Sequence, residues 1–451
     1  MTGVPTAWRG VLAHLGYELP RDVSPAGADA KPVAVNIPLA LVRQSLQPRE
    51  FWDIPQPVVD QYRRYRPTPL WRATGFEQAI GARVPIYVKY EGANISGSHK
   101  LNTALAQAHY YRQAGARELV TGTGAGQWGT ALAAACAAVG IGCTVFMVGG
   151  SLDAKPGRGT LMRLLGADVI ASPSASTDLG QRHRARAAEG APAGNSLAVA
   201  IGEAVEYAAG AQGCAFAIGS GETYSLLHQS VIGLEAADQL TERDVDVDAV
   251  VGCLGAGSNF GGIALPFFAR AAAAGRPPPL LLAAESAATP KLTRGVYAYD
   301  HTDATGSGPM EAMYTIGSGF PVPESHAAGL RFHGAAKLLS AMRHRDQIAA
   351  VAVAQRAALA AGHRFTLTES ILPAPESGHA LAAAASLATG GVHDGGAHHV
   401  SRTGILVCVS GHGYLDLTAY GRLLDGGFTD ESVPEATLRA TVAALHPVDA
   451  G

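Results

Sequence analysis

A chain of 451 residues exceeds what one compact hydrophobic core usually organises, so two domains of α/β size are expected. Charged residues make up 16% and apolar ones 47% of a chain with 55 glycines, which excludes a disordered or fibrous polymer, and a formal net charge of −3 excludes the broad basic surface that nucleic acid or an anionic membrane selects. Cys136, Cys143, Cys214, Cys253 and Cys408 form no CxxC pair and are odd in number; neither a disulfide framework nor a zinc knuckle is favoured, no metal site is expected, and a reducing, cytoplasmic setting follows.

Met1 to Gly16 has no extended apolar core and does not read as a signal peptide. Ser24 to Pro32 reads as a loop. Arg66-Pro-Thr-Pro-Leu70 is a rigid extended lead-in to a strand over Pro85 to Glu91, with a helix from Leu101 to Tyr111 behind Lys100. Leu119 to Leu152 carries no charged residue, as a membrane helix would, yet its glycines cut it into strand, loop, helix and strand, the pattern of a parallel sheet covered on both faces. Helices are expected over Thr160 to Leu165 and Leu197 to Ala209, with a strand over Asp168 to Ala171 between them, so the βαβα alternation predicts open parallel sheets with right-handed crossovers.

A second α/β rhythm starts near Asp246. A strand over Val247 to Cys253 leads to a glycine-rich loop, Leu254 to Gly262, and a helix, Ile263 to Ala274; its glycine spacing does not match a dinucleotide fingerprint. After a strand over Leu280 to Ala284, Pro290 to Gly334 reads as irregular and Gln347 to Ala361 as a helix. Thr368 to His379 reads as a proline-stiffened turn presenting Glu376, and Ile405 to Val409 as a buried strand delivering Ser410 into a glycine turn.

Chemistry concentrates at four places in this pattern. Lys100, behind Ser96-Gly-Ser-His99, is a candidate amine nucleophile if burial lowers its pKa. Thr123-Gly-Ala-Gly-Gln127 and Gly255-Ala-Gly-Ser-Asn259 each join a strand to a helix, where glycines let backbone N–H groups close on an anion. Ser410 stands at a strand end, where open α/β sheets place ligand contacts.

With these residues the sequence resembles the tryptophan synthase β-subunit family, and is nearest its second, stand-alone branch. The matching motifs are Arg66 to Leu70, Gly97 to Asn102, Thr123 to Gly129, Lys155-Pro156, His228 to Gly233, Gly255 to Asn259, His326 to Gly334, Pro373 to Ser377 and Ser410 to Gly413, in the family's order across nearly the whole chain. The resemblance implies a fold-type II pyridoxal-phosphate enzyme. One α/β domain would take residues 1–65 and 99–240 with a mobile lid; the other would take 66–98 and 241–451 with the phosphate loop. Lys100 would carry the internal aldimine and act as base at the substrate's α-carbon. His99, Asn102, Gly255, Ala256, Gly257, Ser258 and Asn259 would bind the cofactor, with Ser410 on its pyridine nitrogen and Glu376 near its ring hydroxyl. Thr123, Gly124, Ala125, Gly126 and Gln127 would hold the substrate carboxylate, and Arg331 would sit on the lid. A homodimer without an α-subunit partner is implied.

Gly122 departs from this pattern. The family places there a glutamate that faces indole and its ring N–H, and losing that acceptor costs about 1–3 kcal/mol of transition-state binding. The expectation is therefore β-replacement on a serine-like amino acid through an aminoacrylate, in a roomier, uncharged site around Gly122. The nucleophile would be other than plain indole, a bulkier or anionic acceptor that yields a non-standard amino acid in specialised metabolism. Ordinary synthesis from L-serine and indole with a substitute carboxylate, β-elimination or deamination, and a non-catalytic interaction protein remain the alternatives.

Overall fold

The computed structural model describes residues 3–24, 36–189, 196–302, 309–323, 325–391, 403–428, 430 and 433–448. Beyond Ser24, the loop expected up to Pro32 lies outside them. In chain order the strands are β1 (Ala7–Arg9), β2 (Phe51–Asp53), β3 (Leu70–Arg72), β4 (Ile86–Tyr90), β5 (Glu118–Thr123), β6 (Gly142–Val148), β7 (Asp168–Ser172), β8 (Cys214–Phe216), β9 (Ala249–Cys253), β10 (Leu280–Ser286), β11 (Val296–His301), β12 (Met310–Thr315), β13 (Ala349–Val353), β14 (Ile405–Val409) and β15 (His446–Pro447).

Two sheets dominate. One runs β13-β10-β9-β14-β4-β3 and is parallel except where β3 pairs antiparallel with β4; the other runs β7-β6-β5-β8 and is parallel throughout. Both are covered by helices, the architecture expected from the βα alternation. Burial on both faces explains why β6, β9 and β14 read as largely apolar runs. The alanine-rich Lys100–Gln113 and Gln127–Val139 helices pack against each other through fully buried small residues such as Ala104, Ala108, Ala131 and Ala135, which lets their backbones approach closely. Among the described residues no helix is long and apolar enough to cross a membrane.

Four expectations are corrected. The glycine loop after β9 is shorter than its composition suggests, because the helix begins at Ser258 and runs to Ala273. Gly261 and Gly262 serve helix packing: a Cβ on either would lie 2.1 Å from Leu226 Cδ2 or 2.7 Å from Gln229 Cβ. The Pro290 to Gly334 region contains an antiparallel ribbon, β12-β11-β15. Ala349–Val353, expected to be helical, pairs as edge strand β13 with β10, because tertiary pairing outweighs alanine's helix propensity; the helix that follows is Gln355–Glu369. Glu376 stands in the first turn of a Pro375–Ala388 helix, whose leading proline has a φ already suited to a helix start.

Candidate active site

Lys100 opens the Lys100–Gln113 helix, reached from β4 through a loop that is hydrogen-bonded to itself and to the neighbouring strand end. Asn94 Nδ2 donates to the carbonyls of Glu91 (3.1 Å) and Ser98 (3.0 Å), and Ser96 Oγ donates to Asn94 Oδ1 (2.8 Å). Gly97 has φ +71°, and a Cβ on it would lie 2.3 Å from His412 Nε2, so this position needs glycine twice over. His99 N–H donates to the Ser410 carbonyl at 2.9 Å and His412 N–H to that of Gly97 at 3.0 Å, which ties the lysine loop to the turn after β14. Burial pushes the Lys100 amine below its ordinary value, partly offset by Glu376 and Cys253. Burial and the adjacent Lys100 charge hold His99 at about 3, a neutral imidazole.

Beneath this loop lies a buried ionic cluster. Arg66 Nε meets Glu235 Oε1 at 2.7 Å, Arg66 Nη1 meets Glu91 Oε2 at 2.9 Å and Lys89 Nζ meets Glu235 Oε2 at 3.0 Å, all without exposed side-chain surface. Burial opposes ionisation of Glu91, but Arg66 and Lys89 bring it down to about 2. Asn102 belongs to this cluster: its amide donates to Glu91 and Gln229, and its carbonyl oxygen accepts from Arg66 and Tyr65. His228 is likewise engaged below the site, with Thr103 Oγ1 at 3.0 Å and Gln44 Oε1 at 2.9 Å.

Above Lys100 a small cavity of about 40 Å³ is lined by His99, Lys100, Gly255 to Asn259, Glu376 and Ser410. The glycines there are steric requirements: Gly257 has φ +128°, and a Cβ on Gly255 would lie 2.1 Å from the Gly329 oxygen. The first N–H groups of the Ser258–Ala273 helix have no partner within the helix and can close on an anion. Asn259 turns its amide to the Cys253 carbonyl (3.3 Å) and accepts from Cys408 Sγ (3.1 Å), so its side chain braces the strand ends. Ser410 Oγ lies 2.8 Å from Ser377 Oγ. Glu376 Oε1 accepts from Gly329 N–H at 2.9 Å, while its buried Oε2 has no partner among the described residues, as is also true of His99 Nδ1 and Ser98 Oγ. Burial and then Asp416 raise the Glu376 carboxyl above the usual carboxylate range. An amine of lowered pKa, a helix-terminal anion cradle, a hydroxyl and unpartnered buried polar atoms are a donor set that fits pyridoxal phosphate.

The small cavity opens into a larger one of about 120 Å³, with Lys100, Gln127, Ala256 and Gly329 lining both. Thr123, Gly124, Ala125 and Gln127 line the larger one, which gives substrate-sized access from Lys100 to the turn after β5. Gly126, with φ +88°, serves instead as the cap of the Gln127–Val139 helix. The structure does not bring Arg331 to either cavity: its Nη2 donates to the Val322 carbonyl at 3.3 Å, and its neighbours Gly329 and Phe332 line the wall.

Around Gly122 the expected extra room is absent, and this is a further correction. A Cβ there would lie 2.5 Å from Ile201 N and 2.7 Å from Ala200 O, because the Leu197–Gly210 helix lies directly against β5. Leu197, Ile201, Phe216, Ile218, Met313 and Phe332 make the larger cavity mainly apolar. Nor is it free of ionisable groups, since Glu222 and Glu311 also line it. Neither residue stands in a recognisable motif, and Glu311 lies in the stretch that reads as irregular; its only sequence signal is the two-residue alternation of Glu311 and Met313, which puts both on one face of β12.

A family profile described as pyridoxal-phosphate dependent enzyme matches residues 62–408. The chain is 41% identical over 431 residues to tryptophan synthase beta chain 2 of Thermococcus kodakarensis, covering 95% of each chain. It is 42% identical over 440 residues to tryptophan synthase beta chain 2 of Aeropyrum pernix, covering 96% of each. Among solved structures, threonine deaminase isoform 2 of Solanum lycopersicum superposes with a TM-score of 0.59 at 16% identity, over 91% of this chain and 99% of that one. Maize serine racemase superposes with a TM-score of 0.55 at 20% identity, over 82% and 98%. At these identities the two structures speak to the fold.

Proposed function

The chain belongs to the pyridoxal-phosphate-dependent enzyme family as a tryptophan synthase β-like member, and from that premise we propose that it replaces the β-substituent of a serine-like amino acid with a nucleophile other than plain indole. The observation that carries the reading is the meeting of Lys100, the Gly255–Gly257 cradle and Ser410 in one cavity that opens toward Thr123 to Gln127.

Bound pyridoxal phosphate supplies the electron sink that lets an amino acid lose its α-proton and then its β-substituent. Lys100 Nζ would hold the cofactor and, once displaced by the substrate's amine, take the α-proton; its lowered pKa suits both tasks. The Gly255–Gly257 N–H groups and those opening the following helix would bind phosphate. Ser410 would face the pyridine nitrogen; a serine, unlike a carboxylate, leaves that nitrogen largely unprotonated, which favours β-chemistry over transamination. Glu376, whose carboxyl is raised by burial and by Asp416, would sit at the ring hydroxyl. Thr123 to Gln127 would bind the substrate carboxylate, and the apolar end of the larger cavity would receive the nucleophile.

The division of strands between the two main sheets supports placing the cofactor between two α/β units, the second built from residues 66–98 and 241–451. A homodimer acting without an α-type partner completes the reading, and light scattering checks it.

The test is a panel of nucleophiles incubated with the holoenzyme and L-serine and read by mass spectrometry. Serine alone should change the visible absorbance, and a nucleophile other than indole should give the fastest product. No absorbance change with serine, threonine or O-phosphoserine would sink the donor half. A second reading, ordinary synthesis from serine and indole, is favoured by Glu222 and Glu311, which bring carboxylates to the cavity that Gly122 leaves without one. Indole outpacing the rest of the panel would establish it.

A further inference from the structure

Glu222 and Glu311 line the same apolar cavity as Lys100, brought there by separate elements. Glu222 precedes the Thr223–Gln229 helix, and Glu311 lies on β12 beside Met313. No described residue donates a hydrogen bond to either carboxylate. The cation whose charge acts on both, Lys337, is paired with Asp22 at 2.5 Å. Tyr224, which does not line the cavity, follows Glu222 in the chain. Its ring is buried, its hydroxyl has no partner among the described residues, and its electrostatic neighbours are Glu222, Tyr111 and Glu311.

We propose that Glu222 and Glu311 form the polar end of the acceptor pocket, where they receive the N–H donors of an uncharged or cationic ring nucleophile and turn anionic ones away. The proposal rests on the reading of the larger cavity as the acceptor's pocket. Both carboxyl groups are half-buried at the edge of an apolar cavity; a ligand N–H entering there finds an acceptor in place of the solvent it leaves, while a ligand carboxylate finds none. Apolar walls of Leu197, Ile201, Phe216 and Met313 suit the ring that carries the donor. Burial and then Glu222 push Glu311 up to about 8, and burial also raises Glu222 against the opposing charge of Lys337. Two carboxyl groups at one end of an apolar cavity oppose the entry of a third.

Equilibrium binding to the holoenzyme without any amino acid tests this, using indole, indene, 5-aminoindole and indole-5-carboxylate. Indene keeps the ring shape without the N–H. Indole should bind about tenfold more tightly than indene and indole-5-carboxylate about tenfold more weakly than indole, with 5-aminoindole at least equal to indole. Equal affinity for indole and indene, or carboxylate binding as tight as indole, would overturn the proposal. In Glu222→Gln and Glu311→Gln the penalty on indole-5-carboxylate should shrink several-fold, and an unchanged penalty in variants with wild-type melting curves would overturn it equally. If neither variant folds, the wild-type series decides. Because no serine is present, failure of the serine absorbance change would strike the proposed reaction and leave this binding result standing.

Discussion

Gly122 and Ile201 meet backbone to backbone: a single carbon added to Gly122 would lie 2.5 Å from the Ile201 nitrogen. On the side where a side chain at this position would project, the backbone of the Leu197–Gly210 helix fills the space. Gly122→Ala should therefore destabilise the protein by about 1–3 kcal/mol through overpacking, measured by chemical denaturation. Gly122→Glu should cost more and fail to raise activity with indole; a stable, more active variant would show that the Leu197–Gly210 helix yields easily.

Lys100→Ala should abolish borohydride trapping of the cofactor on the protein and lower turnover by roughly 10²–10⁴-fold, the usual worth of a positioned proton-transfer group. Peptide mapping after reduction of the wild type should find the label on Lys100 alone. Label elsewhere would reassign the nucleophile.

The Arg66–Glu91 pair makes stability depend on acid. Glu91 has a folded-state pKa of about 2 against an ordinary 4.5, so its stabilisation is fully present above pH 4.5 and is lost as pH falls toward 2. The shift corresponds to about 3 kcal/mol at neutral pH. Glu91→Gln should remove that much of the acid-limb dependence. Breaking the cluster from its other side with Glu235→Ala should cost about 3–5 kcal/mol, because Arg66 and Lys89 would be left buried and underpaired.

Glu376 should trade stability for function. Its pKa is raised in the folded protein, so relative to the unfolded chain it costs stability once pH exceeds the ordinary carboxylate range, and the cost grows until pH passes the folded value. Glu376→Gln should stabilise the cofactor-free protein at neutral pH by about 1 kcal/mol while slowing turnover. Melting curves at pH 4 and pH 8 separate the two effects, with the gain appearing at pH 8.

The strand-to-helix units around Lys100, Thr123 to Gln127 and Gly255 to Gly257 were legible in the sequence because each is local: a buried apolar run, a glycine turn and a helix start lie within a few residues. What was not legible depends on distant neighbours. Gly261 and Gly262 look like loop residues until Leu226 and Gln229 are packed on them. Ala349–Val353 has the composition of a helix and becomes a strand only because β10 has a free edge. Asn102 stands two residues from Lys100 in a matched motif, yet Glu91, Gln229 and Arg66 draw its side chain away from the cavity. Glu222 and Glu311 are 89 positions apart and share a cavity only after the ribbon folds back over the sheet.

β4 and β14 are hydrogen-bonded neighbours, and the loops that leave them stay joined through His99 and Ser410. Lys100 and Ser410 are thus fixtures of one frame, whereas Thr123 to Gln127 hang from the other sheet. Sliding or rocking of the two sheets would leave the interval between Lys100 and Ser410 constant while opening or shutting the jaw on whatever lies between Lys100 and Gln127. Such a machine would release its product without loosening its hold on the tool that made it.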